Sequence, residues 1–291
     1  MNICIIPKPY GSVYYNEETE DEFFISASVS NALNEMKTKI DSLVNDYSEL
    51  SEICKICNPH EYVFSNIMEQ SNSVSKITVP SNLYYELYEI CNTFGIFKQN
   101  IHSILHVAED SNTIRMLFKN NMEIDIQKLE NNYKKVDLII CDQLIPNMNL
   151  NPGGNVIIKL PNITSKSTVC SLYAFSSLFE KTILVKPAVI NVLSNDIFVL
   201  GLSYLNDLKY THVIQLETIP SFFLYKIEEF NSINGHRQLD AYEQVLNVFY
   251  NKNKTSKLDV IKKNSIQKSM DWCDKQNIPY NKCGERVNLF L

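Results

Sequence analysis

Glycine is the residue type in which this sequence is poorest. The 291-residue chain contains 7 glycines, about a third of the usual ~7%. A phosphate-binding loop of the P-loop or G-x-G-x-x-G type needs several glycines close together, because backbone N–H groups must approach the phosphates. The only adjacent glycines are Gly153 and Gly154, so the sequence excludes both kinds of loop.

Long apolar runs, a secretory signal and an excess of positive charge are also missing. No run of 18 apolar residues occurs, so we expect no membrane-spanning helix and no membrane partner. The apolar start at residues 1–7 is too short for a signal peptide and is followed by acidic residues. The net charge of −6 argues against a basic protein that coats nucleic acid. The eight scattered cysteines are typical of reduced thiols, which predicts a cytoplasmic location.

One short motif has the spacing of half a zinc site. Cys54-Lys-Ile-Cys57 is followed closely by His60. A structural zinc ion takes four ligands, usually from two paired half-sites. No second Cys-x-x-Cys exists in the chain, so we expect no metal here and interpret the motif as a helix end before Pro59.

Hydrophobic periodicity predicts an α/β protein. Apolar residues recur every three or four positions over residues 29–50, which indicates a helix. Short apolar or alternating segments predict strands, and helical patterns lie between them, which favours a sheet that is at least partly parallel. The predicted strands are residues 3–6, 103–108, 122–127, 136–141, 155–160, 182–185 and 197–202; the predicted helices are residues 81–94, 167–180 and the chain from about 222 onward.

Three charged residues stand at the ends of predicted strands. Asp142 and Lys159 follow or end two apolar strands, and Asp196 comes directly before another. Ligands of open α/β sheets bind beyond the carboxyl ends of the strands. If the strand after Asp196 runs antiparallel, all three residues reach one edge, where a lysine between carboxylates can orient or deprotonate a hydroxyl. The alternative is that they are ordinary polar residues at the ends of buried strands.

Several short motifs occur together in the second half of the predicted sheet. Residues 153–202 carry a Gly-Gly turn, a strand ending in Lys, a helix ending in Ser-Leu-Phe, a Lys-Pro pair and Ser-x-acid before a last strand. In this order and spacing they resemble the FtsJ-type (RrmJ-type) ribose 2'-O-methyltransferases. Residues 136–143 (VDLIICDQ) are similar to the strand with that family's catalytic Asp, and residues 81–90 (SNLYYELYEI) to its first catalytic helix. Residues 58–76 and 271–281 resemble FtsJ-like proteins of large DNA viruses.

The resemblance implies a fold, a reaction and a set of residues. The family has a parallel sheet with one antiparallel strand and transfers a methyl group from S-adenosylmethionine to an RNA ribose. Carried over by position, its catalytic Lys-Asp-Lys-Glu set becomes Glu86, Asp142, Lys159 and Asp196. The first lysine is thus replaced by an acid, and the set changes from neutral to a formal charge of −2. Added carboxylates keep a lysine protonated and repel RNA phosphates.

The segment that would bind the cofactor departs further from the family. Family members have Pro-Gly-Gly after the first strand, and here Ser111, Asn112 and Thr113 take its place. Glu109 matches an acidic position of the viral branch and Asp110 follows it, so the vestigial cofactor loop is predicted at Glu109, Asp110 and Ser111. Only 33 residues separate Glu109 from Asp142, about the length of one βαβ unit, so the sheet is predicted to be truncated there. Glu123 or Asp125 is a candidate substitute for the ribose-binding carboxylate.

These observations predict three segments and a non-catalytic role. Residues 1–57 are predicted as a strand and helical extension, 58–205 as the FtsJ-like core, and 206–291 as a mostly helical extension. We interpret the chain as a pseudo-methyltransferase that needs no cofactor and assists a viral mRNA-capping or transcription subunit, in the host cytoplasm or the virion. The small stimulatory subunit of the poxvirus capping enzyme, a truncated FtsJ-type domain, is similar in size and in its Ile-Ile-Lys-Leu-Pro strand end.

Two alternatives remain open. The first is an active S-adenosylmethionine-dependent cap 2'-O-methyltransferase. The second is an RNA-binding module, which a stripe of basic residues on one surface would support. The other interpretation of such a stripe is a helix face that is simply exposed to solvent. An accessory subunit predicts an exposed apolar patch, with Phe222, Phe223, Leu224, Tyr225, Val287, Leu289, Phe290 and Leu291 as its candidates. The candidates for the basic stripe are Lys252, Lys254, Lys257, Lys262, Lys263 and Lys268.

Overall fold

The computed structural model describes two compact units that interleave along the chain. The first unit comprises Met1–Ser30, Lys98–Lys186 and Asn195–Asn234, and the second comprises Asn31–Phe97, Pro187–Ser194 and Gly235–Leu291. Within these spans, the described residues are 1–9, 12–14, 24–43, 47–64, 73–107, 111–119, 124–128, 134–144, 149–205, 210–213, 219–251 and 255–281.

Nine strands and seven α-helices are present in the described residues. The strands are β1 (Asn2–Ile6), β2 (Ser12–Tyr14), β3 (Ser103–His106), β4 (Asp125–Lys128), β5 (Val136–Cys141), β6 (Leu150–Leu160), β7 (Phe179–Lys186), β8 (Ile197–Tyr204) and β9 (Tyr210–Val213). The helices are α1 (Ala27–Leu43), α2 (Tyr47–Cys57), α3 (Leu83–Thr93), α4 (Ser111–Leu117), α5 (Lys166–Ser176), α6 (Ser221–Tyr250) and α7 (Thr255–Gln276).

A seven-stranded mixed sheet organises the first unit. Its strand order is β1-β7-β8-β6-β5-β3-β4. Strands β4, β3, β5 and β6 pair in parallel, whereas β8 is antiparallel to both of its neighbours and β1 is antiparallel to β7. The predicted α/β class, with a partly parallel sheet, is therefore confirmed. Strands β2 and β9 form a separate two-stranded sheet that the sequence pattern did not predict.

The central strands are buried on both faces, which is why they read as continuous apolar runs. Strand β5 is buried from Leu138 to Cys141 without alternation. Helices α5 and α6 pack apolar side chains such as Leu172, Phe175 and Phe223 into the core of this unit. Gly201 of β8 packs directly against the Phe179 ring. A Cβ atom at this position would come within 2.7 Å of the ring, so the contact requires glycine.

Several predicted elements have different boundaries in the structure. The helix predicted over residues 29–50 corresponds to α1 up to Leu43 and to α2 from Tyr47, and residues 44–46 lie outside the described residues. The helix predicted over residues 167–180 ends at Ser176, because β7 begins at Phe179. Helix α3 begins at Leu83, two residues after the predicted N-cap Ser81, and Asn82 directly before the helix makes no side-chain capping bond.

The second unit joins α3 to α7. Tyr88 donates its hydroxyl hydrogen bond to the Gln276 carbonyl (3.4 Å), and Asn92 donates to the Gln276 side chain (2.9 Å). Residues 75 and 280 form an antiparallel bridge, and the Lys76 N–H donates to the Pro279 carbonyl. Across the described ranges, no helix has the length and apolar character needed to cross a membrane.

Candidate functional site

Strand register determines which residues reach the carboxyl edge of the sheet. Cys141 of β5 is level with Ile158 of β6, so Asp142 follows β5 at the height of Lys159. Strand β8 runs antiparallel to β6 and pairs Ile197 with Leu160. Asp196, one residue before β8, therefore reaches the same edge as Lys159.

Lys159 and Asp196 form an ion pair at this edge. The Lys159 Nζ atom lies 3.4 Å from an Asp196 carboxylate oxygen, and about a third of each side chain is exposed. The ammonium also lies 5.6 Å from the centroid of the Phe198 ring, within range of a cation–π interaction. Asp142 is exposed to solvent. This arrangement places the ammonium group where it is able to orient an anion or a hydroxyl group.

The sheet reverses its strand order between β3 and β5. Strand β4 lies on one side of β3 and β5 on the other, and such a switch point is where α/β sheets bind ligands. The backbone there is closely packed: His106 is buried, and the Val107 N–H donates to the Ile140 carbonyl at 3.1 Å. Glu109 and Asp110, predicted for the vestigial cofactor loop, lie outside the described residues.

Ser111, Asn112 and Thr113, which were predicted to replace Pro-Gly-Gly, form the first turn of α4. Helix α4 begins at Ser111, whose side chain is outside the described part. Asn112 is exposed, whereas Thr113 is fully buried. The Thr113 side chain thus belongs to the packed interior. No glycine occurs between residues 103 and 119, so this segment lacks the residue that lets a cofactor approach the backbone.

The structure corrects the candidate for the ribose-binding carboxylate. Asp125 opens β4 and is level with Ser103, the first residue of the parallel strand β3. It therefore lies at the amino edge of the sheet, opposite to Asp142, and hydrogen-bonds to Gln127 at 2.8 Å. Asp125 is at the wrong edge for that role because β4 starts later than predicted. Glu123, the other candidate, lies outside the described residues.

Glu86, predicted in place of the first catalytic lysine, belongs to the second unit. It lies in α3 and is buried, with 6% of its surface exposed. Lys159 and Asp196 are thus brought together within the first unit, and the participation of Glu86 stays a prediction.

Sequence reasoning missed a set of polar residues that hold one loop of the second unit. Glu89 accepts hydrogen bonds from the backbone N–H groups of Ala188 (2.9 Å) and Val189 (3.3 Å). Gln238 donates to the carbonyls of Leu193 and Ser194. Both side chains are almost completely buried. Together they fix the loop Pro187–Ser194, and the only sequence signal is a polar residue on the apolar face of a helix.

The Cys54-Lys-Ile-Cys57 motif forms the end of helix α2. Burial raises the pKa of the Cys54 thiol, and it raises that of Cys57 to about 12. Within the described residues, no group of three or more His, Cys, Asp or Glu side chains is arranged to hold a metal ion.

The predicted basic stripe carries mixed charge where it is described. On α7, Lys257, Lys263 and Lys268 are exposed, but Asp259 and Asp271 are exposed on the same helix. Lys252 and Lys254 lie outside the described residues. An alternating charge pattern is typical of a solvated helix face and weakens the attraction for phosphates.

The α6 residues of the predicted apolar patch do not share one face of the helix. Phe222 and Tyr225 are each 59% exposed, while Phe223 between them is fully buried in the core and Leu224 is half-buried. The terminal candidates Val287, Leu289, Phe290 and Leu291 lie outside the described residues.

Asp137 stabilises the opposite, amino edge of the sheet. Its carboxylate accepts hydrogen bonds from Asn151 (2.7 Å), the His102 N–H (2.9 Å), and the N–H and hydroxyl of Ser103 (both 3.1 Å). Partial burial acts to raise the pKa of Asp137, but these hydrogen bonds outweigh it, and the net pKa is lowered from 3.8. Asp137 thus ties β3, β5 and β6 together through its charged form.

We expect Asp137→Asn to lower the free energy of unfolding by about 1–2 kcal/mol at pH 7. Because the folded pKa lies below the unfolded one, this contribution is present above about pH 4 and is lost as pH falls through the folded pKa. Urea unfolding of both proteins from pH 7 to pH 2.5 measures it. Asp259→Asn, on an exposed helix face, is the control. A difference that persisted unchanged at pH 2.5 would contradict the role of the charge.

Comparison with known proteins shows one weak similarity and no family. No protein-family model matches the chain. The chain is 23% identical over 196 residues to the uncharacterized protein R383 of Acanthamoeba polyphaga mimivirus. The alignment covers 56% of this chain and 56% of that protein, so the chain spans about half the length of the curated relative that it matches.

Proposed function

We propose that this protein is a degenerate FtsJ-like methyltransferase domain that has no catalytic activity and serves as an accessory or stimulatory subunit in viral mRNA capping or transcription. One observation carries the proposal. At the carboxyl edge of the sheet, Lys159 of β6 and Asp196 before β8 form an ion pair (3.4 Å). Two strands away from β6 in the same sheet, β3 is followed by α4, and the chain between them contains no glycine. The edge thus retains the polar residues of the family without its cofactor turn.

The sheet supports kinship with that family. The family's fold is a parallel sheet with one antiparallel strand. Here β8 runs antiparallel against the parallel set β4-β3-β5-β6, and the edge strand β1 is a second antiparallel strand that the family pattern lacks. The resemblance places Asp142 and Lys159 at catalytic positions, and the register puts both at one edge. The similarity to a mimivirus protein is consistent with a viral source.

Three features support the loss of methyl transfer. The residues present do not fit S-adenosylmethionine, because the glycine turn is absent and Asp125 lies at the opposite edge of the sheet. Between β3 and β5, the described residues contain a single strand, β4. Finally, two carboxylates and one lysine leave the edge with a formal negative charge, which repels the RNA backbone.

The second candidate is an active S-adenosylmethionine-dependent mRNA cap (nucleoside-2'-O-)-methyltransferase. The Lys159–Asp196 pair favours it, since a lysine held by a carboxylate is able to orient a ribose hydroxyl. In that case the cofactor would supply the methyl group, and Asp142, Lys159 and Asp196 would position the hydroxyl and hold its proton.

Cofactor binding separates the two candidates. A ligand at 100 times its dissociation constant stabilises the folded state by about 2.7 kcal/mol, and each kcal/mol raises the melting temperature by about 2–4 °C. We expect no saturable shift of the melting temperature with S-adenosylmethionine or S-adenosylhomocysteine at millimolar concentration. An active FtsJ-type enzyme in the same assay is the positive control. A saturable shift with the unmodified chain would place the enzyme candidate first.

The accessory role has its own test. A guanine-N7 methyltransferase subunit of a capping enzyme from the same source is assayed with and without this chain. We expect stimulation, and we expect it to be retained by Lys159→Ala and by the control Lys181→Ala, an exposed lysine of β7. If Lys159→Ala removed stimulation together with measurable 2'-O-methyl transfer, the accessory proposal would be wrong.

A further inference from the structure

Strand β1 leaves an uncharged edge on the sheet of the first unit. It occupies the first place in the strand order, so only β7 pairs with it among the strands that the structure describes. Its sequence, Asn-Ile-Cys-Ile-Ile, contains no charged residue and no proline. Ile3 and Ile5 are 44% and 54% exposed. Edge strands are usually protected by lysine or proline against pairing with another chain, and β1 lacks both.

The part of helix α6 that belongs to the first unit, residues 221–234, lies beside this edge. Asn2 donates a side-chain hydrogen bond to Asn234 (3.0 Å), and the Cys4 thiol donates to the Lys226 carbonyl (3.6 Å). On the other side of the helix, Asn231 donates to the Ser26 hydroxyl and the Ile163 carbonyl, toward the middle of the sheet. At about 100° per residue, Phe222 lies about 180° from Asn231 and therefore faces outward, beyond β1.

The outward face of α6 forms an exposed stripe. We define the α6 stripe as Phe222, Tyr225, Lys226, Glu229 and Ile233, which share one side of the helix. Phe222, Tyr225 and Ile233 are 59%, 59% and 42% exposed. Lys226 and Glu229 form an ion pair at 2.7 Å between them, and Lys226 lies 5.8 Å and 5.9 Å from the two ring centroids. The stripe is thus apolar at both ends and carries one charge of each sign at its centre.

We propose that the β1 edge and the α6 stripe bind a second copy of this chain about a two-fold axis at Cys4. Antiparallel pairing of β1 with its copy, centred on Cys4, places Ile3 opposite Ile5 of the other copy, so exposed apolar side chains meet. The same axis passes α6 near Lys226, because that residue contacts Cys4. It therefore brings Lys226 of each copy toward Glu229 of the other. Self-complementary shape and charge of this kind define an isologous interface.

The proposal goes beyond the proposed function and does not depend on it. Two seven-stranded sheets would join at β1 into one continuous sheet, with the two α6 helices packed side by side on one face. Neither cofactor nor RNA takes part, so the tests of the two proposals give independent results.

Sedimentation equilibrium of the full chain from 1 to 100 μM tests the interface. We expect a reversible monomer–dimer equilibrium, and we expect Ile5→Lys to raise the dimer dissociation constant at least tenfold. Val260→Lys is the matched control, because Val260 on α7 is exposed to a similar extent (57%); this variant should dimerise like the unmodified chain. A monomer over the whole range, or a dimer insensitive to Ile5→Lys, would overturn the proposal.

A charge exchange tests whether the partner is a second copy in this register. Lys226→Glu gives two negative charges on the stripe, and Glu229→Lys gives two positive charges. Each variant alone should be monomeric, since like charges then face each other across the axis. An equimolar mixture should form heterodimers with the affinity of the unmodified chain. Circular dichroism verifies that both variants are folded, and failure of the mixture to associate would contradict the assigned register.

Discussion

Replacing Tyr85 with alanine is expected to lower the free energy of unfolding by about 3–5 kcal/mol. Tyr85 lies in α3 and has no exposed surface. Its ring makes edge-to-face contacts with Tyr84 (5.3 Å between centroids) and Trp272 (5.9 Å). Its hydroxyl lies 2.8 Å from both the Ser75 hydroxyl and the Ile77 carbonyl. The substitution therefore opens a cavity and also leaves the buried Ser75 hydroxyl and the Ile77 carbonyl without this partner.

Two further variants separate the ring from the hydroxyl. Tyr85→Phe keeps the packing and should cost about 1–2 kcal/mol, because only the hydrogen bonds are lost. Tyr88 lies three residues after Tyr85 in α3 and is half-exposed. Tyr88→Ala should therefore lower the free energy of unfolding by less than Tyr85→Ala. Chemical unfolding of the three variants measures these differences. If Tyr85→Ala cost no more than Tyr85→Phe, the contribution assigned to ring packing would be contradicted.

The sheet was predictable because its strands carry strong local signals. Strand β5 has the predicted boundaries at Val136 and Cys141, since a fully buried parallel strand must be apolar at every position. Strand ends also predicted where Asp142 and Lys159 lie, and the antiparallel β8 brings Asp196 within 3.4 Å of Lys159. This contact requires that β8 runs antiparallel to β6. The sequence pattern predicted the strand but not its direction.

Other parts of the fold depend on contacts between residues far apart in the chain. The β2–β9 pair joins residues near 13 and 212, and segments as short as three or four residues carry no periodicity that identifies them. Asp125 was misplaced because alternation over residues 122–127 does not define where pairing with β3 begins. The division of the chain into two interleaved units likewise arises from long-range contacts, whereas sequence segments suggested consecutive domains.

The loop-holding residues show the same limit in the second unit. Glu89 acts on Ala188, 99 residues away, and nothing in the sequence near either residue indicates the pairing. A glutamate in an apolar helix face suggests a functional carboxylate as readily as a structural one. The structure assigns Glu89 to the loop Pro187–Ser194, which connects β7 to β8.

Replacing Glu89 with alanine is expected to lower the free energy of unfolding by about 2–4 kcal/mol. Glu89 is 2% exposed, and its carboxylate accepts both the Ala188 and the Val189 N–H groups. Without it, two backbone donors lose their acceptor, and each unsatisfied buried donor costs about 1–3 kcal/mol. Glu228→Gln, on the exposed side of α6, is the control and should change stability by less than 0.5 kcal/mol or so.

The conservative variant Glu89→Gln adds a pH dependence of known sign. Burial raises the pKa of Glu89 above its ordinary value of 4.5, although the Ala188 and Val189 N–H groups act against it. Between that value and the higher folded pKa, the folded state keeps a proton that the unfolded state has lost. Stability due to Glu89 must therefore fall as pH rises through this window and level off above the folded pKa. Glutamine has no such proton, so the stability of the unmodified protein minus that of Glu89→Gln should decrease from pH 4.5 upward. A difference that increased with pH would show that the hydrogen bonds from the loop outweigh burial and that the pKa of Glu89 is lowered instead.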